Sequence, residues 1–360
     1  MYLFLTFVLF TLVAVFLNSL RYRAQDHSQF DAPRDPLMVT ETELSGGHTA
    51  VVSKLKAFQR QSGIKIADQR QRMEDLFFQE VDAVITPVDV DGIPSEWVIA
   101  ENADPDRRLL YLHGGAFRVG SPRSHRYITA ELSKRAGVAV LAIDYRMQPE
   151  FKTVHCHEDA QKAYQWILQN SPDGGASAPR ELYVAGDSAG GNLTLSVIAW
   201  ARNQKLRPVD GAIALAPLTD ATMSSPTWKS NKDSDPFLGP SVGMMLKAPH
   251  WLVHTVQRLS GGAAPNDPLL SPLLDNLSGL PSTLIQASAD EMLYGDAQRY
   301  ANKARAAGGD VTLQLWPKMV HVFQGFGPDL KEAQDALQHI AKFIAERSAV
   351  SASPAERISV

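Results

Sequence analysis

Cysteine is nearly absent from this chain, since Cys156 is the single one among 360 residues. An intrachain disulfide is therefore excluded, and so are zinc or redox sites built on paired CxxC cysteines. A surplus of positive charge is also missing, because 35 basic residues stand against 39 acidic ones and the formal net charge is −4. No basic run lies outside the start of the chain, which argues against a nucleic acid partner.

The first 20 residues carry no charged side chain at neutral pH and consist mainly of Phe, Leu and Val. The apolar run is borderline in length for a membrane-spanning helix. A cleaved signal peptide is the alternative, but an A-x-A-like site and a positive n-region are both missing, which favours an uncleaved anchor. Basic residues follow on the C-terminal side and predict that this side faces the cytoplasm; they are Arg21, Arg23, Lys54 and Lys56.

Residues 21–48 are rich in polar residues and lack hydrophobic periodicity, which predicts a tether between the anchor and a folded domain over residues 49–350. Two segments are expected to cover that domain. Residues 49–80 have an amphipathic helical pattern, and residues 220–262 interrupt the strand rhythm with proline-rich sequence and helical apolar runs. We interpret both as cap pieces.

Apolar runs of strand length alternate with amphipathic runs of helix length. Alternation of this kind predicts an α/β fold with a mostly parallel sheet that helices cover on both faces. The eight predicted strands are residues 81–88, 97–100, 109–112, 138–143, 182–184, 212–215, 283–287 and 311–315. The predicted helices between and after them are residues 124–135, 158–170, 190–204, 296–307 and 330–348.

The strongest chemical motif is Gly186-Asp187-Ser188-Ala189-Gly190, placed between a predicted strand and a predicted helix. That context matches the nucleophile elbow of α/β hydrolases, in which flanking glycines allow a sharp turn that exposes the serine hydroxyl. The helix behind the turn directs its first amides to the place where an oxyanion forms. Ser188 is therefore the candidate nucleophile and Ala189 a candidate oxyanion-hole donor.

A second motif, His113-Gly114-Gly115-Ala116-Phe117, directly follows another predicted strand. It has the form of the oxyanion-hole loop of lipases and esterases. Small residues let the backbone approach a substrate carbonyl, so Gly114, Gly115 and Ala116 are the candidate donors.

Position selects the remaining two members of a catalytic triad. His321 follows the last predicted strand by a short loop, and Asp290 follows the preceding strand, which gives the chain order serine, acid, histidine of α/β hydrolases. Glu291 and Asp296 lie nearby. Asp296 fits the first turn of the next helix. Glu291 is a rival with a longer side chain, but Asp290 comes first after the carboxyl end of the strand and is therefore the expected acid.

Taken together, HGGAF, GDSAGGNL, IDYRMQPE, ASADEMLYGD and HVFQGF resemble the hormone-sensitive-lipase family of esterases, from about Gly92 to the C-terminus. The resemblance implies an α/β-hydrolase fold, the triad Ser188, Asp290 and His321, and no metal or cofactor. One departure lies in the oxyanion loop, where the family's third glycine is Ala116. A metal site at His155 and His157 is disfavoured because no third cluster with suitable spacing accompanies them.

The expected reaction is hydrolysis of small-molecule carboxylic esters through an acyl-enzyme, with short- to medium-chain or bulky hydrophobic esters and lactones as candidate substrates. Apolar cap residues are expected to form the pocket: Trp228, Phe237, Met244, Met245 and Trp251. A serine peptidase or acyltransferase is an alternative of similar chemistry, and a non-catalytic ligand receptor on the same fold is another. The sequence does not predict an oligomeric state.

Overall fold

A twisted sheet of nine strands runs through the centre of the protein in this computed structural model, which describes residues 17, 20–22, 25–34, 37–38, 44–59 and 65–352. The strand order is β1-β9-β8-β7-β6-β4-β5-β3-β2. The strands are β1 Leu37–Met38, β2 Val84–Val90, β3 Ile93–Ile99, β4 Asp104–Leu112, β5 Val138–Ile143, β6 Glu181–Asp187, β7 Gly211–Leu215, β8 Thr283–Ser288 and β9 Val311–Trp316. β3 pairs antiparallel with β2 and β5, and the other neighbours are parallel.

The strand prediction is confirmed for the eight apolar runs, each of which overlaps one of the strands β2 to β9. All residues of β5, β6, β7 and β8 are buried. Continuous apolar burial is the pattern of parallel strands covered on both faces, and it explains why these runs do not alternate with polar residues. The ninth strand, β1, has two residues and lies in the segment that was expected to be a tether.

Helices cover the two faces of the sheet. The ten are α1 Gly46–Gln59, α2 Ile66–Phe77, α3 Arg126–Ala136, α4 Thr153–Ile167, α5 Ala189–Asn203, α6 Thr227–Ser230, α7 Leu238–Val242, α8 His250–Gly261, α9 Tyr294–Ala306 and α10 Lys331–Ala352, all within the described ranges. Apolar residues of α4, α5 and α9 share one core cluster with the sheet, and those of α3 and α10 share a second one on the opposite face. The predicted α/β-hydrolase fold class is confirmed.

Two separate segments pack over the carboxyl end of the sheet. Phe58 of α1 and Phe77 of α2 contact Phe237, which lies just before α7. These rings belong to one apolar cluster with Phe323 and Phe326 from the loop after β9. The segments interpreted as cap pieces therefore meet each other above the loops that follow the strands.

The segment expected to be a tether is partly docked on the domain, which corrects that interpretation for its described residues. Asp31 forms an ion pair with the buried Arg299 of α9 at 2.5 Å. Asn302 donates hydrogen bonds to the carbonyl oxygens of Phe30 and Ala32, both at 2.8 Å. Backbone carbonyls and one carboxylate make these contacts, so the segment needs no hydrophobic periodicity and its sequence pattern does not predict them.

The predicted membrane segment, residues 1–20, lies outside the described residues apart from Leu17 and Leu20. Among the helices that the structure describes, none combines the length and the apolar character needed to cross a bilayer.

Candidate active site

Ser188 lies on a strained turn between β6 and α5. Its φ and ψ are 53° and −114°, which are unfavourable angles for a residue with a side chain. The flanking glycines are required by close packing: a Cβ on Gly186 would lie 2.4 Å from the carbonyl oxygen of Gly190, and one on Gly190 would lie 1.8 Å from that of Leu112. The turn has the geometry that the G-x-S-x-G motif predicts.

His321 lies beside this serine, on the loop that follows β9. Its Nε2 is 2.9 Å from the Ser188 Oγ, and its side chain is buried. Hydrogen-bond contact between an imidazole and a serine hydroxyl is the geometry that general-base activation needs. The structure thus brings together the two residues that the sequence placed at the ends of different strands.

The carboxylate on the other side of His321 belongs to Glu291, and this corrects the choice of Asp290. The Glu291 Oε2 is 2.5 Å from the His321 Nδ1, while the Asp290 Oδ2 accepts a hydrogen bond from the backbone N–H of Lys318 at 2.5 Å. The turn after β8 directs neighbouring side chains to different sides, because the N–H of Ser288 donates to the Glu291 Oε1 at 2.8 Å and holds this carboxylate inward. Asp296 lies elsewhere, in contact with Thr219, Asp220 and Trp228.

Burial and Glu291 shift the pKa of His321 in opposite directions. Burial lowers the pKa of His321, but the hydrogen bond and charge of Glu291 outweigh it, so the pKa lies above its ordinary value. A buried carboxylate at Nδ1 also fixes the tautomer that presents a bare Nε2 to the serine hydroxyl.

The backbone amides near Ser188 come from two elements. Gly115 and Ala116 line the cavity in front of the serine, and Ala189 is the first residue of α5, where backbone N–H groups have no partner within the helix. Gly114 is wrongly included among the candidate donors, because its N–H donates to the Asp187 Oδ1 at 3.0 Å. Ala116 has a φ of 55°, a left-handed conformation that the family's glycine adopts without strain.

Asp187 is a residue whose position in the site the sequence reasoning missed. Its buried Oδ1 also accepts a hydrogen bond from the Tyr111 hydroxyl at 2.8 Å and lies 3.3 Å from the His125 Nε2. Because Asp187 precedes Ser188 and holds Gly114, it joins the oxyanion loop to the nucleophile turn. Its place beside the serine in the motif is the only sequence signal that could have indicated this function.

A cavity of about 370 Å³ opens in front of Ser188 and His321. Its volume is at the lower end of the range for small-molecule sites. The apolar side chains that line it come mainly from the two cap segments: Phe58, Met73, Phe77, Phe237, Leu238 and Val242. Of the five apolar cap residues expected to form the pocket, only Phe237 lines it. Trp228 instead donates from Nε1 to the Asp296 Oδ1 at 3.1 Å.

His155 and His157 do not form part of this site. The His155 Nδ1 accepts a hydrogen bond from the backbone N–H of Lys152 at 3.0 Å, while His157 is buried near Phe117. Within the described ranges, no group of three or more His, Cys, Asp or Glu side chains is arranged to hold a metal ion.

Comparisons with known proteins agree with this architecture. Residues 109–325 match the family model described as the α/β hydrolase fold. An acetyl-hydrolase of Streptomyces hygroscopicus is 33% identical over 257 residues, which are 71% of this chain and 81% of that protein. An esterase of Acinetobacter venetianus is 31% identical over 268 residues, which are 74% of this chain and 84% of that protein.

Solved structures give the same result. The crystal structure of an esterase from the bacterial hormone-sensitive lipase family superposes with a TM-score of 0.74 at 30% identity, covering 85% of this chain and 99% of that one. An esterase/lipase from an uncultured bacterium superposes with a TM-score of 0.72 at 32% identity, covering 83% and 99%. The chain therefore belongs to the hormone-sensitive-lipase family of α/β hydrolases, and it is a serine carboxylic-ester hydrolase.

Proposed function

We propose that Ser188, His321 and Glu291 form the catalytic triad of this ester hydrolase. The observation that carries the proposal is the unbroken series of hydrogen bonds from Glu291 through His321 to Ser188, ending at an apolar cavity. His321 takes the serine proton as Ser188 attacks the ester carbonyl, and then protonates the departing alkoxide. Water repeats the attack on the acyl-enzyme and releases the acid.

The backbone N–H groups of Gly115, Ala116 and Ala189 are the proposed oxyanion hole. They lie on the loop after β4 and at the N-terminus of α5, so two separate elements supply the donors beside the serine. Donors held in this way favour the tetrahedral intermediate over the planar ester, which is where rate acceleration arises. The Asp187 contact with Gly114 keeps the loop in position without using either of the loop's proposed donors.

The proposed substrates are esters with short to medium acyl chains or bulky hydrophobic groups, lactones included. Phe58, Phe77 and Phe237 restrict the cavity with three rings, two of which are T-shaped partners of the third. An apolar enclosure of this size suits a compact acyl or alcohol group better than an extended long chain. The related proteins named acetyl-hydrolase and ethyl acetate hydrolase support the short-chain end of this range.

We also propose that residues 1–20 anchor the enzyme in a membrane and that its catalytic domain faces the cytoplasm. The support is the uncharged apolar run and the basic residues Arg21 and Arg23 after it. Export after cleavage of a signal peptide is the alternative.

The experiment is a series of p-nitrophenyl esters from acetate to palmitate, measured with the wild type and with Ser188→Ala. We expect the highest kcat/KM at the short to medium chain lengths, and loss of turnover in Ser188→Ala, because this hydroxyl is the only proposed nucleophile. Ser282→Ala is the matched control. Ser282 donates a hydrogen bond to Asp310 and lies just before β8, at the end of that strand remote from Glu291.

Two further arms separate the competing functions. The p-nitroanilides of the same acyl groups test peptidase chemistry, and we expect turnover of the esters to exceed that of the anilides. EDTA should leave the rate unchanged. Near wild-type turnover in Ser188→Ala would contradict the proposed mechanism, and faster cleavage of the anilides would make the chain a peptidase.

A further inference from the structure

One side of the second cap segment presents an unpartnered apolar face. Leu252, Val256 and Leu259 of α8 are 41%, 55% and 70% exposed, and their i, i+4, i+7 spacing places them on one side of the helix. Met244, which is 78% exposed, and Met245 precede them. Half of the large apolar side chains that are exposed in the described part of the chain thus lie between residues 244 and 259. Concentrated exposure of this kind marks an interaction surface.

The opposite side of α8 is already packed against the domain. Val253 and His254 are buried, the His254 Nε2–H donates to the carbonyl oxygen of Thr222 at 3.2 Å, and Gln257 donates to that of Ala221 at 2.8 Å. The helix is therefore seated in a fixed orientation, and its outer apolar side cannot turn inward without breaking these contacts.

The charged residues within this segment are of one sign. No Asp or Glu occurs from residue 237 to residue 266, although the whole chain is acidic. Two basic residues of the segment are exposed, Lys247 before α8 and Arg258 near its C-terminal end. A helix with exposed apolar residues on one side, in a segment that carries basic and no acidic residues, is suited to the interface of a bilayer that contains anionic lipids.

The described residues at the end of the apolar N-terminal segment contact the domain close to this face. Asn266, five residues after the end of α8, donates from Nδ2 to the carbonyl oxygen of Arg21 at 3.0 Å. The uncharged apolar segment before Arg21 therefore joins the domain beside the C-terminal end of α8. A membrane that receives this segment, as proposed above, is therefore within reach of the exposed apolar face.

We propose that the exposed face of α8, together with Met244 and Met245, docks on an anionic lipid surface. Val253 on the inner side of α8 packs in the same cluster as Leu238 and Val242, which line the cavity in front of Ser188. Docking would therefore bring one wall of the substrate cavity to the membrane, where hydrophobic esters concentrate. This last step rests on the proposed ester hydrolysis, and the choice of a membrane as the partner rests on the proposed N-terminal anchor.

The test uses the full-length chain with a single fluorescent label. Cys156 is buried, so an environment-sensitive maleimide dye will react at a cysteine introduced by Val256→Cys. Val84→Cys on β2 is the matched control, because Val84 is a valine of similar exposure, 66%, outside the proposed face. The probes are vesicles of phosphatidylcholine alone and of phosphatidylcholine with phosphatidylserine.

We expect a blue shift of the dye at position 256 when vesicles are added, stronger with phosphatidylserine, and no shift at position 84. A dye at position 256 that does not respond while the protein sediments with the vesicles would overturn the proposal, because the N-terminal segment alone would then hold the protein. A blue shift without lipid that grows with protein concentration would also overturn it, since the face would then bind a second copy of the chain.

A charge variant provides a second, independent readout. Lys247→Gln with Arg258→Gln should weaken the phosphatidylserine-dependent response roughly fivefold for each basic side chain removed. Lys342→Gln on α10 is the control, because Lys342 is exposed and distant in sequence. No loss in the double variant, or an equal loss in the control, would contradict recognition of anionic lipid. Since the dye signal needs no turnover, failure of the docking and failure of the ester-hydrolase mechanism are distinguishable.

Discussion

At the scale of single residues, the Glu291 carboxylate has two roles. One oxygen accepts the backbone N–H of Ser288 at the end of β8, and the other contacts the His321 Nδ1. The first contact fixes the direction of the second, because a carboxylate held by a strand terminus cannot rotate freely. Asp290, one position earlier, accepts the N–H of Lys318 and so stabilises the turn before His321.

Glu291→Gln should lower kcat by orders of magnitude, about 10⁴ in the best-studied triad, because an amide in place of the carboxylate leaves the histidine in the wrong tautomer. Asp290→Asn should cost little activity, since its side-chain oxygen still accepts from Lys318. Steady-state kinetics on one p-nitrophenyl ester compares the two variants. A large loss in Asp290→Asn with a normal Glu291→Gln enzyme would restore the assignment that the sequence favoured.

The raised pKa of His321 predicts the acid side of the pH profile. The base form must be neutral, and a raised pKa keeps the imidazole protonated to higher pH. We therefore expect kcat/KM to rise with pH through a midpoint above the ordinary value of 6.5. Initial rates from pH 5 to pH 9, with a substrate whose own hydrolysis is subtracted, give that midpoint. A flat profile, or a midpoint well below 6.5, would contradict the contact between Glu291 and His321.

At the scale of elements, Asp296 joins α9 to the chain that follows β7. Its Oδ2 accepts the backbone N–H groups of Thr219 and Asp220 at 2.9 and 3.0 Å, and its Oδ1 accepts the Trp228 Nε1–H. Asp296 lies in the first turn of α9, as the sequence predicted, and its buried carboxylate also holds three donors from two other parts of the chain. Its purpose is therefore to fix the start of the second cap segment on the sheet.

Asp296→Asn should destabilise the protein by about 1–3 kcal/mol. Both carboxylate oxygens accept from N–H groups, so the amide nitrogen of the asparagine would face an N–H group and leave it without an acceptor. The activity of each folded molecule should change little, since Asp296 does not contact His321. Urea unfolding against Asp233→Asn measures the difference; the Asp233 side chain is 93% exposed beside Lys232, where an ion pair contributes little. Equal unfolding midpoints for the two variants would show that the three hydrogen bonds are dispensable.

At the scale of the whole molecule, the N-terminal part divides into an apolar segment and a docked segment. Residues 25–34 contact α9: Asp31 pairs with Arg299, and the carbonyl oxygens of Phe30 and Ala32 accept hydrogen bonds from Asn302. β1 extends the sheet at the β9 edge. A truncation that removes only the apolar residues leaves these contacts in place. A truncation that extends past Asp31 leaves the buried Arg299 without its carboxylate partner.

Deletion of residues 1–23 should therefore release active enzyme from the membrane fraction, with kcat/KM on soluble esters close to that of the full chain. Fractionation of cells that express each form, followed by esterase assays, makes the comparison. A full-length product found in the soluble fraction with its N-terminus after residue 20 would indicate a cleaved signal peptide instead of an anchor.

The order of elements and the positions of Ser188 and His321, two members of the proposed triad, were determined by the sequence alone. The alternation of apolar runs predicted strands β2 to β9. For the central parallel strands the physical reason is that a strand buried on both faces is continuously apolar. The G-x-S-x-G motif located Ser188, since its glycines allow the sharp strand-to-helix turn that exposes the serine hydroxyl. His321 followed from its place after the last strand, because parallel strands bring their carboxyl ends to the same edge.

The tertiary structure decided what depends on side-chain direction and on distant packing. The choice between Asp290 and Glu291 depended on one hydrogen bond to Ser288, which sequence position does not encode. The pocket wall was decided by contacts of Phe58 and Phe77 with Phe237, residues separated by more than a hundred positions. Periodicity in a sequence reports which side of an element is apolar, but only the folded chain determines which partner that side meets.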